Sequence, residues 1–151
     1  MKNLSHQVAS LLITAWVGGI WSIGYLAVPV LFYAQPDRQL AGMLAGQMFS
    51  LTAYLGMLCG TYLLLHTISI SGRSAFRNTL FWVVAMMLFI SLAFQFGFQP
   101  VMNGLKQQAL PLDVMHSAFA DRFKMLHGIS SITYLIQSLL GIFLIIKTPR
   151  P

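Results

Sequence analysis

Glutamate is absent from this 151-residue chain, and aspartate occurs only as Asp37, Asp113 and Asp121. None of the three lies inside a long apolar run, which excludes a proton relay or cation pathway built on intramembrane carboxylates. Paired-carboxylate catalysis is excluded with it. A single cysteine, Cys59, rules out an internal disulfide and a cysteine-rich metal centre. Charged residues make up 8% of the sequence, against about 25% in soluble domains, so this is not a soluble domain. No nucleophile–base motif and no phosphate-binding glycine loop is present. The net charge of +6 does not signal nucleic acid. The basic residues stand singly at the ends of apolar runs, where they act as membrane-surface anchors and topology signals.

What the chain has in abundance is apolar sequence, 57% of its residues. Four runs, at about 8–34, 40–70, 78–98 and 125–146, reach the roughly 20 residues needed to cross a bilayer. The expected fold is all-α, an integral membrane four-helix bundle occupying 1–151 as one domain. Residues 100–111 read as a polar connection. An amphipathic helical segment at 112–124 then runs into the fourth span and stands outside the hydrocarbon. The close, Thr148-Pro149-Arg150-Pro151, reads as non-helical. Lys2 before an apolar run has the outline of a signal peptide, but the run is too long and lacks a cleavage site, so it is expected to be retained. Lys and Arg divide five against four between the two sides. The excess places both termini in the cytoplasm of a multi-pass protein of the cell membrane, the inner membrane in a bacterium.

The spans are sorted by face. In the first, Thr14, Gly18, Ser22, Tyr25, Pro29 and Phe32 share a stripe about 80° wide, which reads as one wall of the bundle. In the second, Gly42, Gly46, Ser50, Ala53, Gly56 and Gly60 recur every three or four residues. That seam suits close packing against span one, a second copy of the chain, or another membrane protein. The lipid bilayer is the other implied partner. In the fourth, His127, Ser131, Tyr134, Ser138 and Gly141 form a stripe headed by the residue most suited to function. With Gln95 and Gln99 at similar depth, the expectation is a polar pocket near the outer face lined by Tyr25, Gln95, Gln99, His127 and Ser131. His127 is expected to point inward and to pair with one of the glutamines. The same groups also read as helix-to-helix hydrogen bonds without a ligand. His6 and His66 fall near the inner ends of spans one and two. They are the weak candidates to bracket a metal ion or a haem, and no cofactor is fixed by the sequence.

Four segments in order, Trp16-Val17-Gly18-Gly19, Pro29-Val30-Leu31-Phe32, Ala41-Gly42 through Gly46 to Phe49, and Phe123-Lys124-Met125-Leu126-His127, resemble the transmembrane-protein-205-like family. Its bacterial members carry the label domain of unknown function 4149. The resemblance covers about Val8 to Ile146 and implies a small four-span membrane protein with no established reaction. It marks Trp16, Gly18, Gly19, Pro29, Phe32, Gly42, Gly46 and His127 without assigning roles. In size and in the W-x-G-G pattern, the chain is more loosely similar to copper-resistance-protein-D-like and haem-handling four-helix membrane proteins. That likeness implies, as the alternative to a binding, transport or accessory component, a haem- or metal-dependent redox protein.

Overall fold

In a computed structural model of the protein, residues 2–148 are described, with side chains from residue 5 onward. Pro149–Pro151, read above as a non-helical close, lie outside the described residues. Six α-helices build the four spans. Span one is α1 (Lys2–Ser22) and α2 (Val28–Ala34), joined without a break by a π-helical turn at Ile23–Ala27. Span two is α3 (Arg38–Ser71), whose first turn is capped by the Asp37 carboxylate accepting from the Gln39 and Leu40 amides. A 3-10 turn, Gly72–Arg77, leads to span three: α4 (Thr79–Ala93), a second π turn at Phe94–Phe98, and α5 (Gln99–Ala109). Span four is α6 (Ala120–Lys147). No strand occurs among the described residues. Four helical stretches, Ser5–Ala34, Arg38–Arg77, Thr79–Ala109 and Ala120–Lys147, are long and apolar enough to cross a membrane. The all-α four-helix membrane bundle is therefore the fold.

Two boundaries differ from the sequence reading, for one reason each. Pro100 does not end span three, and 100–111 is not a polar connection: the helix runs on to Ala109. Proline cannot donate to the carbonyl four residues back and crowds it. The preceding turn widens to the π form and absorbs the conflict. Pro29 follows the first π turn in the same way, and each proline sits at the second residue of the helix after its turn. Residues 112–124 are not one helix either. Asp113 caps a short 3-10 turn, Val114–His116, by accepting from the Met115 amide, and the α6 helix starts only at Ala120.

The core lies in the half of the bundle that carries the chain termini. Trp16, fully buried, is packed with Val17, Ile20, Cys59, Leu63, Val84, Met87 and Leu144. Its indole rests on the glycine seam of α3. A Cβ on Gly56 would stand 2.6 Å from Trp16 Nε1 and from Ser91 Oγ, and one on Gly60 would stand 3.1 Å from the Trp16 ring and from Leu88. The seam is thus occupied within the chain, by span three and by Trp16 of span one. At Gly56 and Gly60 its room is taken by Trp16 of span one and by Ser91 and Leu88 of span three. The wall expected in span one is reversed along the half nearer the N-terminus. Thr14, Gly18 and Ser22 are exposed, while Ile13, Trp16, Val17 and Ile20 face inward. Bulky apolar side chains fill the space that the glycines of α3 vacate, and Thr14 satisfies its hydroxyl on the Ser10 carbonyl of its own helix.

Candidate functional site: a laterally open cleft

The two halves of the bundle are held differently. In the half that carries the termini α1 packs on α6: Val17 meets Gly141, and the Tyr134 hydroxyl donates to the Ile20 carbonyl at 2.6 Å. Ile20 lies in the last turn of α1, just before the π turn at Ile23–Ala27. The Tyr134 ring lies where Gly24 has no side chain, since a Cβ there would fall 2.3 Å from the ring. The Tyr25 hydroxyl lies 3.1 Å from Ser138 Oγ. Among the described residues, these tyrosines make the hydrogen bonds between spans one and four that lie nearest the cleft.

Beyond them the spans part. α2 packs on α3, whereas the first half of α6 packs on α5. There Leu105, Ala109 and Val114 are buried against Phe119, Phe123 and Leu126. Between the two pairs lies a cleft of about 1180 Å³. Its floor is at Tyr25 and Tyr134, its walls carry Val28, Pro29, Phe32, Phe49, Phe94, Met102 and Leu135, and its mouth is ringed by Asp37, Arg38, Asp113, His116 and Lys124. From Lys124 to Leu135, α6 measures roughly 16 Å at 1.5 Å per residue.

Most of the expected pocket comes together. Tyr25, Gln99, His127 and Ser131 line the cleft, as do Pro29, Phe32, Gly42 and Gly46. Gln95 does not; its amide donates to the Tyr54 hydroxyl at 2.9 Å. His127 is exposed to the cleft rather than buried, and its ring stacks on Phe123 at 6.0 Å. The expected His127–glutamine pairing is not formed, because Gln99 is committed elsewhere: its amide donates to the Gly46 carbonyl at 2.7 Å. Trp16, Gly18 and Gly19 belong to the half that carries the termini, outside the cleft. The interhelical bond of the deep core comes from Gln137, whose amide donates to Ser91 Oγ at 3.0 Å.

Lys106, counted in the sequence only as a topology charge, is a cleft residue. Its ammonium donates to the Gly42 carbonyl at 2.9 Å and lies 5.7 Å from the centre of the Phe123 ring. With Gln99 on Gly46 it closes a two-rung polar zipper between α5 and α3. An added methyl group would make only ordinary contact at either glycine. A Cβ on Gly42 would lie 3.8 Å from Lys106 Nζ, and one on Gly46 would lie 3.7 Å from Gln99 Oε1. The signal was available as Gln99, Asn103 and Lys106 at i, i+4, i+7, on one face of a helix that Pro100 was expected to end.

The histidines fall into two places. His6 and His66 meet edge to face with ring centres 5.7 Å apart, and Tyr62 stacks on His66 at 5.8 Å. Rings in edge contact leave no slot for a planar macrocycle, so the pair does not bracket a haem in this arrangement. Among the described residues, no three histidine, cysteine or acidic side chains converge as a metal site would require.

The profile of one family, Domain of unknown function (DUF4149), matches residues 11–111. It spans the first three membrane helices and ends before α6, which carries His127, Ser131 and Tyr134. No curated protein and no solved structure matches the chain.

Proposed function

The chain belongs to the DUF4149 family, and for this membrane protein we propose a non-enzymatic role in which the cleft binds an amphipathic, lipid-like molecule taken from the surrounding bilayer. The observation that carries the reading is the parting of spans one and four beyond Tyr25 and Tyr134. A gap between two neighbouring spans would face the side of the bundle, where acyl chains lie in a bilayer, and not only water. Its volume of about 1180 Å³ reaches past the usual ~300–1,000 Å³ of small-molecule pockets, so a long chain fits. The walls are mainly apolar, and polar groups gather toward the mouth, which is the division an amphiphile requires. Both π turns border the cleft through Tyr25 and Phe94, and such turns recur at functional sites.

The test fills the cleft. Ser131→Trp places an indole inside it, and Ile132→Trp, at a position 62% exposed, places the same bulk on the outside of α6. Native mass spectrometry of protein released from a lipid extract should show retained lipid in wild type and Ile132→Trp, and loss of that lipid in Ser131→Trp. Equal retention in all three proteins would remove the cleft as the binding site.

A further inference from the structure

We infer that the occupant of the cleft is an anionic lipid whose headgroup is held by Lys106, with Arg38 and His127 beside it; this rests on the proposed lipid-binding cleft. The charges around the mouth are unevenly committed. Asp37 has one carboxylate oxygen on the α3 amides of Gln39 and Leu40, and Asp113 has one on the Met115 amide. The cations, by contrast, rest on neutral groups. Lys106 donates to the Gly42 carbonyl, and the Arg38 guanidinium donates to the Phe32 carbonyl at 3.2 Å. Among the described residues, the one ion pair is Lys124 with Asp121 at 3.9 Å, on exposed side chains where such a pair counts for little. Lys106 therefore brings a positive charge into a half-buried position, where the Asp113 carboxylate acts on it only from beyond ion-pair distance.

A cation held in a membrane protein's interior is costly unless it is compensated. One carbonyl and one aromatic face satisfy part of that need, and an ammonium has three donors. Two remain for the oxygens of a phosphate or a carboxylate. Arg38 offers a planar donor pair suited to the same oxygens, and His127 faces the same cleft. The apolar walls below take the chains, so the complementary molecule joins an anionic headgroup to long hydrocarbon. A free inorganic anion would leave those walls empty.

The experiment measures binding of phosphatidylglycerol and of phosphatidylcholine with identical chains to detergent-purified full-length protein, by native mass spectrometry. Wild type should favour phosphatidylglycerol by roughly tenfold, the scale of one charge-assisted hydrogen bond, and the preference should shrink as salt is raised. Lys106→Met should abolish the preference, Lys106→Arg should restore most of it, and Lys147→Met, at the far end of α6, should leave it intact. If Lys106→Met does not fold, the salt titration of wild type and the Lys106→Arg variant decide the matter. Equal binding of both lipids that Ser131→Trp still blocks overturns the anionic headgroup while leaving the cleft reading standing. Binding of neither lipid overturns both. Displacement of the lipid by millimolar inorganic phosphate alone overturns the lipid in favour of a free anion.

Discussion

Gly56 and Trp16 illustrate what a single atom decides in this protein. Adding a methyl group at Gly56 places it 2.6 Å from the indole nitrogen and from Ser91 Oγ, closer than any real contact, and both neighbours are buried. Overpacking of this kind costs about 1–3 kcal/mol. Gly56→Ala should therefore lower the melting temperature in detergent, whereas Gly18→Ala, whose added Cβ meets nothing within 4 Å, should melt like wild type. If the two variants melt alike, the indole does not rest on the glycine seam. Tyr134 is the second such residue. Tyr134→Phe keeps the ring over Gly24 and deletes only the donation to the Ile20 carbonyl, a loss of about 1 kcal/mol. A modest drop in melting temperature with lipid retention changed little is expected, because the floor of the cleft keeps its shape. Neither role was visible in the sequence beyond a motif position for Trp16 and a place in a stripe for Tyr134. Which ring lands on which glycine depends on how the spans cross.

Among the elements, the two π turns set the shape of the cleft. Each lies one turn before a proline, and each shifts the outer part of its span, α2 or α5, relative to the part below. α5 then holds α6 through Leu105 and Ala109, while α2 follows α3, and the gap stays between them. Replacing Pro29 by alanine removes the clash that widens the first turn. Regular α-helical bonding should return, and α2 should rotate about its axis, turning Phe32 away from the cleft. The readout is the labelling rate of a cysteine placed at Ser131 in a Cys59→Ala background, which should change several-fold when Pro29→Ala is added. An unchanged rate would mean that the π turn is held by its neighbours and not by the proline. The sequence displayed both prolines, but a proline after an apolar run reads equally as a stop or as a bend. Only the helix beyond Pro100 shows that it is a bend.

For the whole molecule, orientation carries the prediction. The slight excess of Lys and Arg on the side of the termini predicts that those ends lie in the cytoplasm and the mouth of the cleft outside. Reporter fusions after Ser74 and after Leu112 should score cytoplasmic and external respectively; the reverse pattern would turn the cleft toward the cytoplasmic leaflet. The membrane setting itself was determined by the sequence alone, because length and hydropathy are local quantities and a bilayer asks for about 20 apolar residues whatever the packing. The count of four spans, the helical class and the seam of small residues follow from the same local periodicities. Tertiary structure decided what periodicity cannot carry. The face of span one that turns inward depends on which partner supplies room, and α3 supplies it to Trp16, not to Thr14 and Gly18. Gln99 and Lys106 reach glycine carbonyls, and not His127, because the rotation of α5 is set by the turn before it. The cleft exists because two spans that touch at Tyr134 follow different neighbours beyond it, and that divergence is a property of the crossing helices, not of any one stretch of chain.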